Sequence, residues 1–139
     1  MMDMKADAAT EKAVMKILQD FNDALAGKQV EQVLGLFAPD ADVFLLGSEE
    51  GEKAIGHHEL EDFFKGIFSR FTAFSFEWKW HLVSIEGSVA WVVTEGLVHA
   101  KTIDQDLSAT YRSTMVLVKR GDKWLIMHAH GSRPVIASK

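Results

Sequence analysis

The chain has 139 residues, a length typical of one domain that buries a substantial core without disulfide bonds or metal ions. Hydrophobic residues make up 47% of it and charged residues 25%, a composition that excludes disordered and fibrous proteins. The formal net charge of -5 argues against nucleic acid and anionic membranes as partners. Because the chain has no cysteine, thiol nucleophiles, disulfide scaffolds and cysteine zinc sites are also excluded.

The hydropathy of the chain bears on where the protein works. No apolar run approaches the ~18 residues that a membrane-spanning helix needs. The N-terminal sequence MMDMKADAATEK lacks the apolar stretch of a signal peptide. We therefore expect a cytoplasmic protein with a single domain over residues 1–139.

Apolar residues recur with a helical period up to about residue 72. The first predicted helix carries a single stripe made of Val14, Ile17, Leu18, Phe21 and Leu25. Gly27 follows this stripe as a suitable terminator. A short second helix over residues 30–37, a strand over residues 42–46 and a polar loop over residues 47–56 come next. A third helix carries the clearest stripe, over residues 60–71.

After residue 72 the apolar period changes to two, which is typical of half-buried strands. The first strand places one set of side chains on one face: Phe74, Phe76, Trp78, Trp80 and Leu82. Further strands are predicted over residues 89–100, 108–119 and 123–132, the last two joined by a hairpin at Gly121 and Asp122. Three helices followed by four antiparallel strands predict an α+β domain, with helices on one face of a curved sheet and a cavity between the layers.

Two segments resemble a known family. The opening over residues 19–42, QDFNDALAGKQVEQVLGLFAPDAD, and the tail over residues 112–132, RSTMVLVKRGDKWLIMHAHGS, are similar to the nuclear-transport-factor-2-like superfamily. This superfamily includes ketosteroid isomerase, SnoaL-like cyclases and the association (hub) domain of calcium/calmodulin-dependent kinase II. The resemblance covers about residues 10–134 and implies a cone-like α+β barrel, with three helices packed on a strongly curved, mainly antiparallel sheet.

The catalytic groups of ketosteroid isomerase are not carried over. The position similar to its tyrosine is Phe21, and the position similar to its aspartate is Leu45. Neither side chain donates or accepts a proton, so chemistry by that route is excluded. Whether the protein is an enzyme stays open. If it is one, the resemblance implies isomerisation, cyclisation or hydration of a hydrophobic carbonyl compound, by catalytic residues that the sequence does not identify.

The resemblance also implies which side chains face the pocket. The pocket arginines of the hub domain fall on Gly96, Met115 and Gly131, so its capture of carboxylates is not carried over. The small and flexible apolar residues at the inward positions predict a spacious apolar pocket for a hydrophobic small molecule, without a cofactor. Its predicted lining is Phe21, Leu45, Thr94, Gly96, Ser113, Met115, Met127, Ala129 and Gly131.

His128 and His130 lie two residues apart on one strand, so their side chains share a face, roughly 6.5–7 Å apart at their roots. With His99 or Glu95 as a third ligand the pair could chelate zinc. Alternatively, both histidines lie on the outer face of the sheet at a subunit interface, which the resemblance favours, and we expect no metal. Together with Glu95 and Arg112 they form either a catalytic network or a structural polar patch at a dimer axis.

Two surfaces stand out in the sequence. An outward apolar row predicts a homodimer, since an exposed apolar sheet face normally marks an interface. This row comprises Trp91, Val93, Thr114, Val116, Trp124 and Ile126. The glutamates of the polar loop, Glu49, Glu50 and Glu52, predict a solvated edge.

Three functional hypotheses remain from the sequence. The first is a SnoaL-like domain that binds a hydrophobic small molecule, with or without isomerase or cyclase chemistry. The second is an oligomerisation or binding module without chemistry, which the loss of both catalytic positions at Phe21 and Leu45 favours. The third is a metal-dependent activity through His128 and His130.

Overall fold

Three helices and six strands follow one another along residues 3–135, the part of the chain that the computed structural model describes. The elements are α1 (Ala8–Ala26), α2 (Val30–Gly35), β1 (Phe44–Leu46), β2 (Lys53–Ile55), α3 (Gly56–Arg70), β3 (Ala73–Glu86), β4 (Val89–Lys101), β5 (Asp106–Arg120) and β6 (Lys123–Ser132). The predicted α+β class, with three helices before the long strands, is confirmed. Across the same residues, no helix has the length and hydropathy needed to span a membrane.

The six strands form one sheet in the order β2-β1-β6-β5-β4-β3. All neighbours are antiparallel except β1 and β6, which are parallel. The sheet is strongly curved but does not close into a barrel, so β2 and β3 are its edges. Strand β2 was not predicted, because its three residues are too few to show a period of two in the sequence, and only Ala54 is buried.

Helix α1 crosses the concave face of the sheet and contributes much of the core. The Asp7 carboxylate accepts a hydrogen bond from the Thr10 backbone N–H at 2.9 Å and caps the helix. The predicted stripe is buried at Val14, Leu18, Phe21 and Leu25. The helix ends at Gly27, as the sequence predicts. It is further joined to the edge strand β3 by Asn22, whose amide donates to the Phe76 carbonyl at 3.1 Å and accepts from the Phe76 N–H at 2.8 Å.

A β-bulge in β3 changes which side chains face the core. Trp78 is paired with Gly96 but Trp80 with Glu95, so Lys79 is the additional residue. Beyond the bulge the side chains change sides, and Trp80 and Leu82 lie on the outer face, 48% and 39% exposed. The prediction that these two share a face with Phe74 and Phe76 was therefore wrong.

A second bulge, in β6, corrects the predicted outward row. Val116 is paired with His128 but Leu117 with Ile126, so Met127 is the additional residue. Trp124 and Ile126, predicted to point outward, are instead in the core, 7% and 0% exposed. The other members of the predicted row, Trp91, Val93, Thr114 and Val116, alternate with buried residues and lie half-buried on the outer face.

Candidate functional site

A cavity of about 320 Å³ lies between the concave face of the sheet and helices α1 and α3. Its walls are largely aromatic. Phe21 stacks on Phe76 with 6.3 Å between ring centroids, and Phe76 lies 5.1 Å from the ring of Tyr111. The mouth is bordered by the loop between β1 and β2, the end of α3 and the chain that follows β6. A cavity of this shape accommodates a small molecule with an apolar body.

The structure brings together six of the nine residues predicted to line a pocket. The six in the cavity wall are Phe21, Leu45, Ser113, Met115, Ala129 and Gly131. Thr94 lies deeper, 1% exposed, with its hydroxyl oxygen 2.6 Å from that of Ser113. Gly96 lies so close to β3 that a Cβ there would overlap the Glu77 carbonyl oxygen. Met127 is absent from the wall because it is the additional residue of the β6 bulge.

Tyr111 contributes a phenol hydroxyl to the cavity wall, and the sequence reasoning missed it. Burial raises the pKa of Tyr111 to about 12, the nearby carboxylate of Glu52 adds to the rise, and Arg133 opposes it. The phenol is therefore protonated at neutral pH and able to donate a hydrogen bond. Within residues 3–135 no group accepts a hydrogen bond from this hydroxyl. Its oxygen is also not fully buried, so the hydroxyl is accessible from the cavity. A ligand in the cavity therefore has a donor available to it.

The absence of a side chain at Gly131 makes room for Tyr111. Gly131 lies on β6, paired with Ser113 of β5, and a Cβ at this position would overlap the Tyr111 hydroxyl. The resemblance to the hub domain places an arginine at this position. In this chain the phenol of Tyr111 occupies that space, and its hydroxyl contributes to the cavity wall.

The carboxylate of Glu52 also lines the cavity wall. It packs against Gly47 and accepts a hydrogen bond from the Glu49 backbone N–H at 3.0 Å, which fixes its orientation. The sequence predicted a solvated edge for the loop glutamates. Instead Glu49 and Glu52 both line the cavity, because the loop folds over its mouth. Of the three glutamates, only Glu50 lies outside the cavity wall, where it is exposed to solvent.

Two arginines meet the loop at the mouth. Arg70 Nη1, at the end of α3, lies 3.3 Å from Glu49 Oε2. Arg133 Nη2, just after β6, lies 3.5 Å from Glu49 Oε1. The mouth therefore holds two positive and two negative groups, with Glu52 as the second carboxylate, around an apolar interior.

The two tail histidines lie on the outward side of β6. The ring of His128 stacks on Phe44 with 5.0 Å between centroids, and burial, together with the charge of His130, lowers the pKa of His128. His130 is exposed and also borders the cavity mouth. Across residues 3–135 no group of three histidine or carboxylate side chains is arranged to hold a metal.

The other predicted members of the polar network are not joined to these histidines. Glu95 and Arg112 are register partners on β4 and β5, on the same outer face. In the described part of the chain, no side-chain hydrogen bond or ion pair links them to each other or to the histidines. His99, a candidate third metal ligand, instead contacts Glu77 at 3.0 Å and the Ser108 hydroxyl at 2.7 Å.

Comparison with known structures places this fold. A nuclear transport factor 2-like superfamily protein from Salmonella enterica serovar Typhimurium is 14% identical, with a TM-score of 0.84 and 96% of each chain covered. A Xanthomonas campestris protein, provisionally named a calcium/calmodulin dependent protein kinase II association domain, is 22% identical, with a TM-score of 0.80 over 96% of this chain and 98% of that one. An NTF2-like protein from Streptomyces avermitilis, provisionally named a dehydratase, is 17% identical, with a TM-score of 0.83 over 94% and 100%.

These identities are low, and the solved structures therefore establish the fold alone. No curated protein matches the chain by sequence. The family model of the SnoaL-like domain does match, over residues 14–136, which is most of the chain and includes every element that lines the cavity except the first turns of α1. The chain therefore belongs to the family of SnoaL-like domains.

Proposed function

We propose that the protein binds a hydrophobic carbonyl compound in the cavity and moves a proton on it. The observation that carries this proposal is the Tyr111 hydroxyl, a protonated donor in an aromatic cavity with the Glu52 carboxylate close by. A carbonyl compound whose oxygen accepts a hydrogen bond from Tyr111 is easier to convert to its enolate, since the phenol stabilises the negative charge that develops on that oxygen. Glu52 is the candidate base that takes the proton from the adjacent carbon.

The same two groups complete the reaction. When the carbonyl compound is β,γ-unsaturated, the enolate extends over the double bond, and the proton that Glu52 takes from the α carbon returns to the γ carbon, which gives the conjugated isomer and regenerates the carboxylate. If the enolate carbon instead attacks a second carbonyl carbon of the same molecule, a C–C bond closes the ring, the attacked C=O becomes an alkoxide, and that oxygen takes the proton from Glu52. Both outcomes fit an isomerase or cyclase, and neither requires a cofactor.

Filling the cavity should weaken binding of an aromatic ketone. Ala109 lines the cavity on β5, and its neighbour Thr110 is exposed on the opposite face of the strand. We expect Ala109→Phe to weaken binding of 2-acetylnaphthalene at least about tenfold, because one phenyl ring fills much of the space that the ligand needs. Thr110→Phe, the matched control, should leave the affinity unchanged. Isothermal titration calorimetry measures both.

The proposal fails if 2-acetylnaphthalene and its hydrocarbon analogue 2-ethylnaphthalene both show no binding to the wild-type protein. It also fails if Ala109→Phe and Thr110→Phe reduce the affinity equally, since the ligand would then lie outside the cavity. Thermal unfolding of each variant establishes that it is folded before the affinities are compared.

We further propose that a second copy of the chain covers the outer face of the sheet. Trp80 and Leu82 are exposed there, and half-buried Val93 and Val116 continue the apolar surface toward the centre of the sheet. The face is also self-complementary in charge. Glu95 and Arg112 are neighbours across β4 and β5, so a twofold axis between them brings each Glu95 to the other copy's Arg112. This reading favours assembly as a second role for the domain.

Sedimentation tests the dimer directly. At micromolar concentration we expect a particle of twice 15.5 kDa. Val93→Glu should give the monomer, because it places a charge in the apolar centre of the face. Ile103→Glu is the matched control, since Ile103 is 97% exposed in the turn between β4 and β5 and should leave the dimer intact. A 15.5 kDa particle for the wild type would refute the proposal.

A further inference from the structure

Glu49 sits at the cavity mouth between two guanidinium groups that come from different elements. Arg70 belongs to the end of α3 and Arg133 to the chain after β6, and each contacts a different oxygen of the Glu49 carboxylate, at 3.3 and 3.5 Å. The two arginines are thus already arranged around one carboxylate. Guanidinium groups recognise carboxylates of any source by the same planar hydrogen-bonding geometry.

The Glu49 side chain is held weakly enough to be replaced. The side chains of Arg70, Glu49 and Arg133 are 55%, 40% and 47% exposed, so water screens both ion pairs. The loop itself does not depend on them. It is closed by the Gly47 N–H donating to the Glu52 carbonyl at 2.7 Å and by the Glu49 N–H donating to the Glu52 carboxylate. Glu49 can therefore swing away while Glu52 stays in place.

All three charged residues line the cavity, and its apolar interior begins directly behind them. A molecule with an apolar body and a terminal carboxylate would bury the body and leave the carboxylate at the arginines. Arg133 is also close enough to Tyr111 to act on the pKa of the phenol. One molecule with both a carbonyl group and a carboxylate therefore has a partner for each in the same cavity, Tyr111 for the first and Arg133 for the second.

We propose that the ligand is a hydrophobic oxo acid whose carboxylate replaces Glu49 between Arg70 and Arg133. Glu49 then acts as a built-in competitor that occupies the carboxylate site until the ligand arrives. This inference rests on the proposed function, because it uses the same cavity. The two arginines are not at the positions of the hub-domain arginines, which correspond here to Gly96, Met115 and Gly131.

The test compares two probes that differ only in charge. 2-Naphthylacetate and 2-naphthylacetamide share the apolar body and nearly the same shape, and calorimetry gives the affinity of each. We expect wild-type protein to bind the carboxylate about three- to tenfold more tightly than the amide. Glu49→Gln should tighten carboxylate binding about two- to fivefold, because it removes the competitor. The same variant should change the amide affinity less than it changes the carboxylate affinity.

The arginine variants supply the opposite change. Arg70→Gln and Arg133→Gln should each remove most of the preference for the carboxylate and lower the amide affinity much less than the carboxylate affinity. Lys65→Gln is the matched control, since it removes one positive charge from an exposed position of α3 outside the cavity wall. A preference that falls equally in Lys65→Gln would show a general charge effect and overturn the inference.

Failure of the inference and failure of the proposed function look different. If both probes bind equally tightly, or if Glu49→Gln weakens the carboxylate, the cavity proposal stands and the carboxylate site is wrong. If neither probe binds the wild-type protein, the cavity proposal falls and the carboxylate site falls with it.

Discussion

Glu52→Gln should slow the exchange of the methyl protons of 2-acetylnaphthalene with solvent deuterium by at least about 100-fold relative to wild-type protein. The glutamine side chain keeps the shape of the glutamate but does not accept the proton that leaves the carbon beside the carbonyl group. Tyr111→Phe should cost a similar factor, about 100-fold, because the enolate oxygen loses its hydrogen-bond donor in an apolar site. Proton NMR of the ketone in heavy water measures both rates directly.

The controls for this experiment lie in the same loop. Glu50→Gln makes the same change of charge at an exposed glutamate that does not line the cavity, and it should exchange at the wild-type rate. A wild-type protein that binds the ketone but does not accelerate the exchange would contradict the proton-transfer proposal. The binding module without chemistry would then be the better description. The ketone carries no carboxylate, so this outcome is independent of Arg70 and Arg133.

The elements of the fold were predictable because their signals are local. A helical stripe such as Val14 to Leu25 is contained in one stretch of chain, and a period of two identifies a strand without knowledge of its neighbours. The faces of the strands were less predictable. One additional residue, Lys79 in β3 and Met127 in β6, reverses the facing of the side chains before it relative to those after it. That is why Trp80, Leu82, Trp124 and Ile126 were assigned to the wrong sides.

Part of the cavity wall was predictable for the same reason. Simple alternation holds along β5 and along the part of β6 after Met127. The predicted wall residues Ser113, Met115, Ala129 and Gly131 lie there. The polar groups were not predictable, because they depend on contacts between distant segments. Tyr111 has room only because residue 131 is glycine. Glu49 and Glu52 reach the cavity only because the short strand β2 folds their loop over its mouth.

The loss of the isomerase groups at Phe21 and Leu45 does not leave the cavity without polar chemistry. Phe21 is part of an aromatic wall that includes Phe64 and Phe76, and Leu45 is 7% exposed in the core. A donor and a carboxylate are present on other elements, Tyr111 on β5 and Glu52 beside β2. Our proposal thus assigns proton transfer to residues other than the two positions that correspond to the isomerase groups.

Gly131→Ala should displace the Tyr111 ring and destabilise the protein by about 1–3 kcal/mol, because the added methyl group overlaps the phenol and the core resists overpacking. The folded protein holds the pKa of Tyr111 at about 12, against 10.0 for an ordinary tyrosine, so this group leaves the free energy of unfolding unchanged below about pH 10 and lowers it as the pH rises toward 12. With the ring pushed toward solvent, we expect the pKa to fall toward 10 and this alkaline loss to shrink.

The chain has a single tyrosine, so the ultraviolet absorbance of phenolate reports Tyr111 alone. Gly66→Ala is the control, since nothing lies within 4 Å of a methyl group there, and it should leave the titration unchanged. If the Tyr111 titration is the same in Gly131→Ala as in the wild type, the space at position 131 is not what holds the phenol in the cavity.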